Sequence, residues 1–373
     1  MKSFDVIIIG GGLAGLTAAV HLAKAGFQTV VIEKQKYPHH KVCGEYVSNE
    51  IIPYLQHLGI RLPQEVQINT LELSTREGTL ITAPLPLGGI GISRYAFDYL
   101  LYQKAQELGV FFVFDRVTEV SFSQDYFTVY AGQQRLYKSA LVIGAYGKRA
   151  LLDKQLNRSF IHKKSAWIGV KAHYHYDAFP KHKVALHNFD GGYAGLSKTE
   201  TGAVNCCYLA SYKSFKQEKD ITAFNANVVS MNPHIETFLK EATPIFKTPL
   251  TIAQISFHAK QAVEGHILMC GDTAGLIHPL CGNGMAMAIH AAKIASECII
   301  SYLSTPSPDR IKLEKNYQTQ WRGAFQNRLV MGRQLQNVLL NQNASALAMT
   351  AVGRSPWLLQ QLIKRTHGTP ITC

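Results

Sequence analysis

The apolar pattern of this chain is a series of short, dense blocks separated by glycines, and two of them open it. Phe4–Ile9 is rich in Val and Ile, as strands buried on both faces of a parallel sheet are. A helix follows over Leu16–Ala25, stopped by Gly26, and Thr29–Ile32 makes a second buried strand. Buried strands return at residues 140–144 and at Ile267–Cys270, the latter followed by a long apolar helix from Met285 to Ile300. Tyr95–Leu108 also reads as a helix. Between these blocks lie β-rich stretches at Thr70–Thr82 and residues 165–210, with Trp167–Tyr176 and Ala203–Leu209 as the clearest strands. Such patterning predicts a second, mostly antiparallel sheet. Ser214–Val229 reads as one helix. Pro306 and Pro308 mark a linker, and Ile311–Arg365 is helical in pattern, with Leu329, Leu335, Val338, Leu339, Leu347 and Met349 among Gln, Asn and Arg.

Composition narrows the class. At 373 residues the chain has room for two domains and a helical tail. With 47% hydrophobic and only 17% charged residues, it is not disordered overall. The net charge of +13 favours anionic partners. Residues 301–373 hold nine Lys or Arg against Asp309 and Glu314, dispersed as on solvated helix faces and not massed as in a nucleic-acid tail. Seven cysteines without a CxxC make neither a disulfide framework nor a zinc site and suggest a reducing, cytoplasmic compartment. No stretch of about 20 clean apolar residues stands out, so no membrane-spanning helix is expected. The chain has no Ser-His-Asp elbow, no GxxxxGK[ST], no metal spacing and no nucleic-acid motif.

Chemistry enters at the first turn. Gly10-Gly11-Gly12-Leu13-Ala14-Gly15 is a GxGxxG between a strand and a helix. Gly10 allows the tight turn, Gly12 lets backbone approach a pyrophosphate, and Gly15 lets helix and strand pack closely. The helix start at Leu13 and Ala14 offers free N–H groups to phosphate. Glu33, 21 residues after Gly12, ends the second strand, where it can accept bonds from ribose hydroxyls, with Lys34 beside it. An acid there disfavours NADP at this position but leaves FAD and NAD open.

A second glycine-rich helix start lies far downstream: Gly271-Asp272, then Pro279, Gly282, Asn283, Gly284 and Met285. Together the two motifs resemble the para-hydroxybenzoate-hydroxylase-like flavoproteins. The resemblance implies FAD, with Asp272 on the ribityl chain and the 282–285 backbone facing the flavin pyrimidine. Lys41-Val42-Cys43-Gly44-Glu45 is similar to the Lys-x-Cys-Gly loop of the geranylgeranyl-reductase branch, which lies beside the flavin. Arg94, with Phe97 and Asp98, resembles that family's Arg-x-x-Phe-Asp element, whose Arg approaches the FAD phosphates. Tyr146 replaces the Asp of the family's Gly-Ala-Asp-Gly element, which puts hydroxylase-type use of NADPH in doubt. The electron donor is therefore NADPH or another reductant.

The implied architecture is α/β: a discontinuous Rossmann-like FAD domain from residues 1–65, 94–160 and 260–304, a mostly antiparallel substrate domain from 66–93 and 161–259, and a helical region over 305–373. Three residues are candidates for catalysis. Cys43 reads as a thiol lining the substrate side of the flavin or as a small residue packed in a tight loop. Tyr193 stands where the reductases carry a Tyr-x-Trp-x-Phe-Pro signature, of which only the Tyr remains. It reads as a pocket wall, a proton donor or plain core. His278 adjoins Pro279 and reads as an acid–base group or a packed loop residue. Glu45 reads as a base or as a group tuning Cys43; His173, His175 and His187 read as structural or surface. Trp167-Ile168-Gly169 lacks the paired tryptophans of flavin halogenases. Three functions follow as expectations: a reductase acting on an apolar isoprenoid, lipid or carrier-bound substrate; a monooxygenase of aromatic or polyketide substrates; or an electron-transfer protein at a membrane surface. Peripheral membrane contact through the basic C-terminal helices goes with the first and third.

Overall fold

The buried runs near the N-terminus form the centre of one sheet in the computed structural model, which describes residues 2–133, 135–163, 165–218, 220–278, 282–340, 348, 355, 360, 361, 363 and 368–372. Lys2–Ile9 lies between Arg135–Gly144 and Thr29–Glu33, parallel to both. Phe111–Phe114 extends the parallel order on one side and Ile267–Met269 on the other. Val117–Ser123 and Tyr126–Ala131 add an antiparallel meander onto Arg135–Gly144. Val6, Ile7 and Ile8 are fully buried, which explains the run without polar alternation.

The second sheet runs Thr243–Pro244, Trp167–His175, Val204–Ser211, Gly192–Lys198, Lys183–Phe189, Gln67–Ser74, Leu80–Gly91, Tyr46–Ser48, with Leu250–Ile255 also on Trp167–His175. All its pairs are antiparallel except Lys183–Phe189 with Gln67–Ser74. Tyr46–Ser48 belongs here, so the chain has crossed to the second sheet directly after Glu45.

Helix Leu13–Lys24 packs against Arg94–Glu107 and Gly284–Leu303, and Arg310–Leu340 packs on the latter. Two expectations need amending. Ser214–Val229 is two helices, Tyr212–Glu218 and Ile221–Asn227, because the Asp220 carboxylate accepts from the Ala223 N–H and caps a new start. Gly284–Leu303 is long and apolar enough to cross a membrane by length and composition. Its apolar side is nevertheless occupied by the core, with Ile289, Ala292, Ala295 and Ile299 at most 1% exposed. The C-terminal helix lies on helix Gly284–Leu303 and on the loop before it: the Tyr317 hydroxyl donates to the Met269 carbonyl, and the Trp321 ring sits against Gly275. Leu347 and Met349, with Arg354, Lys364 and Arg365, lie outside the described residues.

One buried ion pair braces the sheet end that carries Gly144. Arg158 and Asp153 meet at 2.9 Å with side chains 1% exposed, and Arg158 also donates to the Thr273 carbonyl at 3.0 Å. Arg158→Met should leave the buried Asp153 carboxylate without its counter-charge and cost roughly 3–5 kcal/mol, read as a lower midpoint in urea unfolding.

Candidate active site

The parallel strands deliver their C-terminal ends to one edge: Ile9 is level with Ile32 and Gly144, and Met269 with Gly144. Loops from three distant segments therefore converge where α/β sheets bind ligands. Gly10 has φ +100°, and a Cβ there would overlap the Ala145 carbonyl. A Cβ on Gly15 would overlap the Gly10 carbonyl. Gly12 differs, because its side is open: a Cβ there would stand 3.7 Å from Arg94 Nη2 and 4.0 Å from Lys41 Nζ. The following helix, beginning at Leu13 and Ala14, has no side-chain cap. Free N–H groups and two cationic tips thus face one space, as a pyrophosphate requires.

Asp98 holds both cations. Arg94 Nε and Nη2 each donate to it at 2.8 Å, and Lys41 Nζ does so at 2.8 Å. Burial opposes the Asp98 charge, but Arg94 and Lys41 outweigh it and hold the carboxyl below its ordinary value. Glu33 ends its strand buried, accepting from Gly11 N–H at 2.7 Å and Gln35 N–H at 3.1 Å; Lys34 beside it is exposed. Tyr37, which the sequence did not single out, donates to the Gly11 carbonyl at 2.6 Å and stacks on Tyr102 with centroids 4.5 Å apart.

At the other end, Gly271 takes φ +62° and Asp272 is half-buried in the turn Gly271–Thr273. Gly147 N–H donates to Thr273 Oγ1 at 2.9 Å, locking this turn to the loop after Gly144. Lys260 Nζ donates to the Asp272 carbonyl at 2.8 Å and the Lys148 carbonyl at 3.0 Å; burial lowers its pKa to about 8 against the pull of Asp272. Tyr146 turns its hydroxyl to Asp153 at 3.2 Å. Pro279 lies outside the described residues. Gly282 has φ +61°, buried Asn283 is the N-cap of Gly284–Leu303, and buried Met285 is in its first turn.

The second sheet forms the opposing wall. Directly opposed residues share a face, so three rows look the same way: Gly169–Leu209–Tyr193, Lys171–Cys207–Gly195 and His173–Asn205–Ser197. The last two rows hold the Lys41–Glu45 loop. Lys171 Nζ donates to the Lys41 carbonyl at 3.1 Å, Asn205 to that of Cys43 at 3.2 Å, and Ser197 to that of Gly44 at 3.2 Å. Glu45 is fully buried and accepts from His173 Nε2 at 2.6 Å, from Arg94 N–H at 2.7 Å and from Lys171. Burial opposes its charge, yet the His173 hydrogen bond and Lys171 keep its carboxyl low. Glu45 is thus an anchor with its oxygens spent, and neither of the roles read from sequence suits it. His40 lies close enough to Glu45 and His173 for a metal site, but the Lys171 ammonium already balances that carboxylate.

The first row is different. Tyr193 meets His278 with ring centroids 5.9 Å apart, and Trp167 and Phe257 enclose the same imidazole at 6.0 and 4.8 Å. His278 is 3% exposed, neither ring nitrogen has a partner among the described residues, and burial lowers its pKa to about 3. A neutral imidazole so placed can meet a polar group of a molecule bound beside it. Tyr193 and His278 are therefore brought together. The half-buried Cys43 thiol belongs to the loop anchored on Ser197, four residues or about 13 Å along the strand from Tyr193.

A family model described as an FAD binding domain matches residues 3–312. The chain belongs to this family of FAD-binding proteins. Digeranylgeranylglycerophospholipid reductase of Methanocaldococcus jannaschii is 26% identical, over 86% of this chain and 82% of the relative. Kynurenine 3-monooxygenase of Cytophaga hutchinsonii is 25% identical, over 79% and 72%. Among solved structures, a geranylgeranyl bacteriochlorophyll reductase-like protein from Thermoplasma acidophilum superposes with a TM-score of 0.79 at 18% identity, covering 98% of this chain and 96% of its own. The protein is an FAD-dependent oxidoreductase, and its residues fit the cofactor: an open cradle at Gly12 under two cations, and a buried imidazole at the far end.

Gly12→Val should fill that cradle, so that protein purified from the variant is colourless and takes up no added FAD. Asp272→Ala should weaken FAD binding by roughly 1–3 kcal/mol, measured as the dissociation constant from flavin fluorescence.

Proposed function

We propose that this protein is a reductase or dehydrogenase acting on a carbon–carbon bond of an apolar substrate, of isoprenoid, lipid or carrier-bound type. The observation that carries this reading is the chemistry of the cleft wall. One end of it is apolar and aromatic, with Trp167, Tyr193 and Phe257 around His278 and Leu209 in the same buried cluster. The carboxylates that reach it from the Lys41–Glu45 loop and helix Arg94–Glu107 are both consumed by cations. Hydroxylation of a phenol calls for a base to activate the ring, and an imidazole with a pKa near 3 is a poor one. The relatedness to digeranylgeranylglycerophospholipid reductases supports the same substrate class.

FAD, when bound, supplies the two-electron chemistry. The aromatic row excludes water and aligns the apolar chain. His278 gives a neutral hydrogen bond to the polar edge of whatever lies beside it. Cys43, half-buried with its loop pinned on three carbonyls, holds a proton on Sγ for the substrate carbon and regains one from solvent. The reducing equivalents come from NADPH or another donor, identified by which one bleaches the flavin.

The basic C-terminal surface contributes less to anchoring than its charge suggests. Arg310 is bound to Asp125 and the Ala140 carbonyl, and Arg328 to Glu50. Lys312, Lys315 and Arg322 are exposed and remain available for an anionic lipid or carrier surface.

The test is an anaerobic half-reaction. Reduced enzyme mixed with a geranylgeranyl lipid should reoxidise, giving a saturated product without oxygen. Labelled oxygen in the product would instead establish a monooxygenase. Cys43→Ser should keep FAD yet slow this half-reaction by roughly 10²-fold or more; unchanged rates would return Cys43 to a packing role.

A further inference from the structure

Glu50 is a buried carboxylate that the chemistry above does not use. It lies in the short turn Asn49–Ile51, just after the strand that leads the chain into the second sheet, and is fully buried. Three segments remote in sequence face it. Arg328, from helix Arg310–Leu340, pairs with it at 3.5 Å, its own side chain 15% exposed. Gly368 lies against the pair, and a Cβ built there would overlap both Glu50 Oε2 and the Arg328 guanidinium. Asn283 is the buried N-cap of helix Gly284–Leu303, and the turn Asn49–Ile51 packs against that helix. The backbone repeats the connection, since the Ile371 N–H donates to the Glu50 carbonyl at 2.7 Å and Ile371 is buried in the main core. Burial pushes the Glu50 carboxyl up, while Arg328, Gly368 and Asn283 counter it.

We propose that Glu50 is a positioning residue for the flavin: it fixes Asn283 and so the 282–285 backbone, and residues 368–371 with Arg328 complete the cofactor site from behind through it. A buried carboxylate left without partners is costly, so Arg328 and the segment 368–371 are held on the turn Asn49–Ile51 together. A side chain at 368 would meet the ends of the Glu50 and Arg328 side chains, which would have to shift out of their pairing. The charge balance has a redox consequence. A helix N-terminus favours negative charge, and behind it the Glu50 carboxyl, when ionised, offsets the charge of Arg328. Removing the carboxylate alone leaves Arg328 as an extra cation near the flavin. The proposal rests on FAD binding and not on the substrate, so it stands or falls apart from the reductase reading.

The experiment compares Glu50→Gln, Gly368→Ala and Lys315→Gln in the full chain, with folding followed by far-UV circular dichroism. Gly368→Ala leaves Glu50, Arg328 and Asn283 in place and decides the matter even if Glu50→Gln folds poorly. Expected are a roughly tenfold higher FAD dissociation constant for Gly368→Ala and Glu50→Gln, a more positive flavin midpoint potential for Glu50→Gln, and no change for Lys315→Gln, an exposed residue on the same helix. Folded Gly368→Ala with native FAD affinity, or folded Glu50→Gln with an unchanged potential, overturns the proposal.

Discussion

The site depends on one buried carboxylate, Glu45, that ties two sheets together. Its side chain comes from the loop leaving the cofactor half, and its partners Lys171 and His173 come from the opposing sheet. An unpaired charge at that depth would cost several kcal/mol, so the loop has little freedom to lie elsewhere. The same carboxylate accepts the Arg94 N–H, which opens the helix whose fourth residue on is Asp98. Asp98 in turn aims Arg94 and Lys41 at the space beside Gly12. Phosphate recognition at one end is thus set by an ion pair between sheets, and Cys43 lies inside the stretch that this relay fixes.

The cleft is electrically graded as a result. Toward the Lys41–Glu45 loop, the wall is made of charged and hydrogen-bonding side chains, all engaged. Toward His278 it is aromatic, and desolvation keeps the imidazole neutral. In the middle of the wall Gly169 lets Ile252, Ile255 and Val42 pack closely over the strand. A molecule with an anionic end and a planar reactive end matches that gradient, as a dinucleotide flavin does.

Local order made the first βαβ unit legible in the sequence: turn glycines, helix and terminal acid fall within 33 residues. The second motif was legible because its glycines adjoin an apolar strand and helix. What escaped was set by pairing across long separations. Glu45 meets Lys171 and His173 some 126 and 128 residues away, and no local pattern marks either. Asp98 was visible only as a companion of Arg94, although it is the residue that holds both cations. Arg328 counted as a solvated charge because its partner Glu50 is remote. The Ser214–Val229 helix was overextended because a cap at Asp220 outweighs a continuous apolar period.

The parallel register at the sheet centre sets the order in which the molecule can assemble. Lys2–Ile9 has as neighbour a strand ending at Gly144, and that strand has one ending at Met269. Non-local pairings of this kind close large loops before they are rewarded, and they fold slowly. On a ribosome, the first glycine turn emerges long before Asp272 and the helix beyond it are made. During that interval the edges of the nascent sheet stand open, and such edges invite aggregation. The two halves of the flavin cleft exist together only once the second has been made, so cofactor capture waits on a segment some 260 residues behind the first glycine turn.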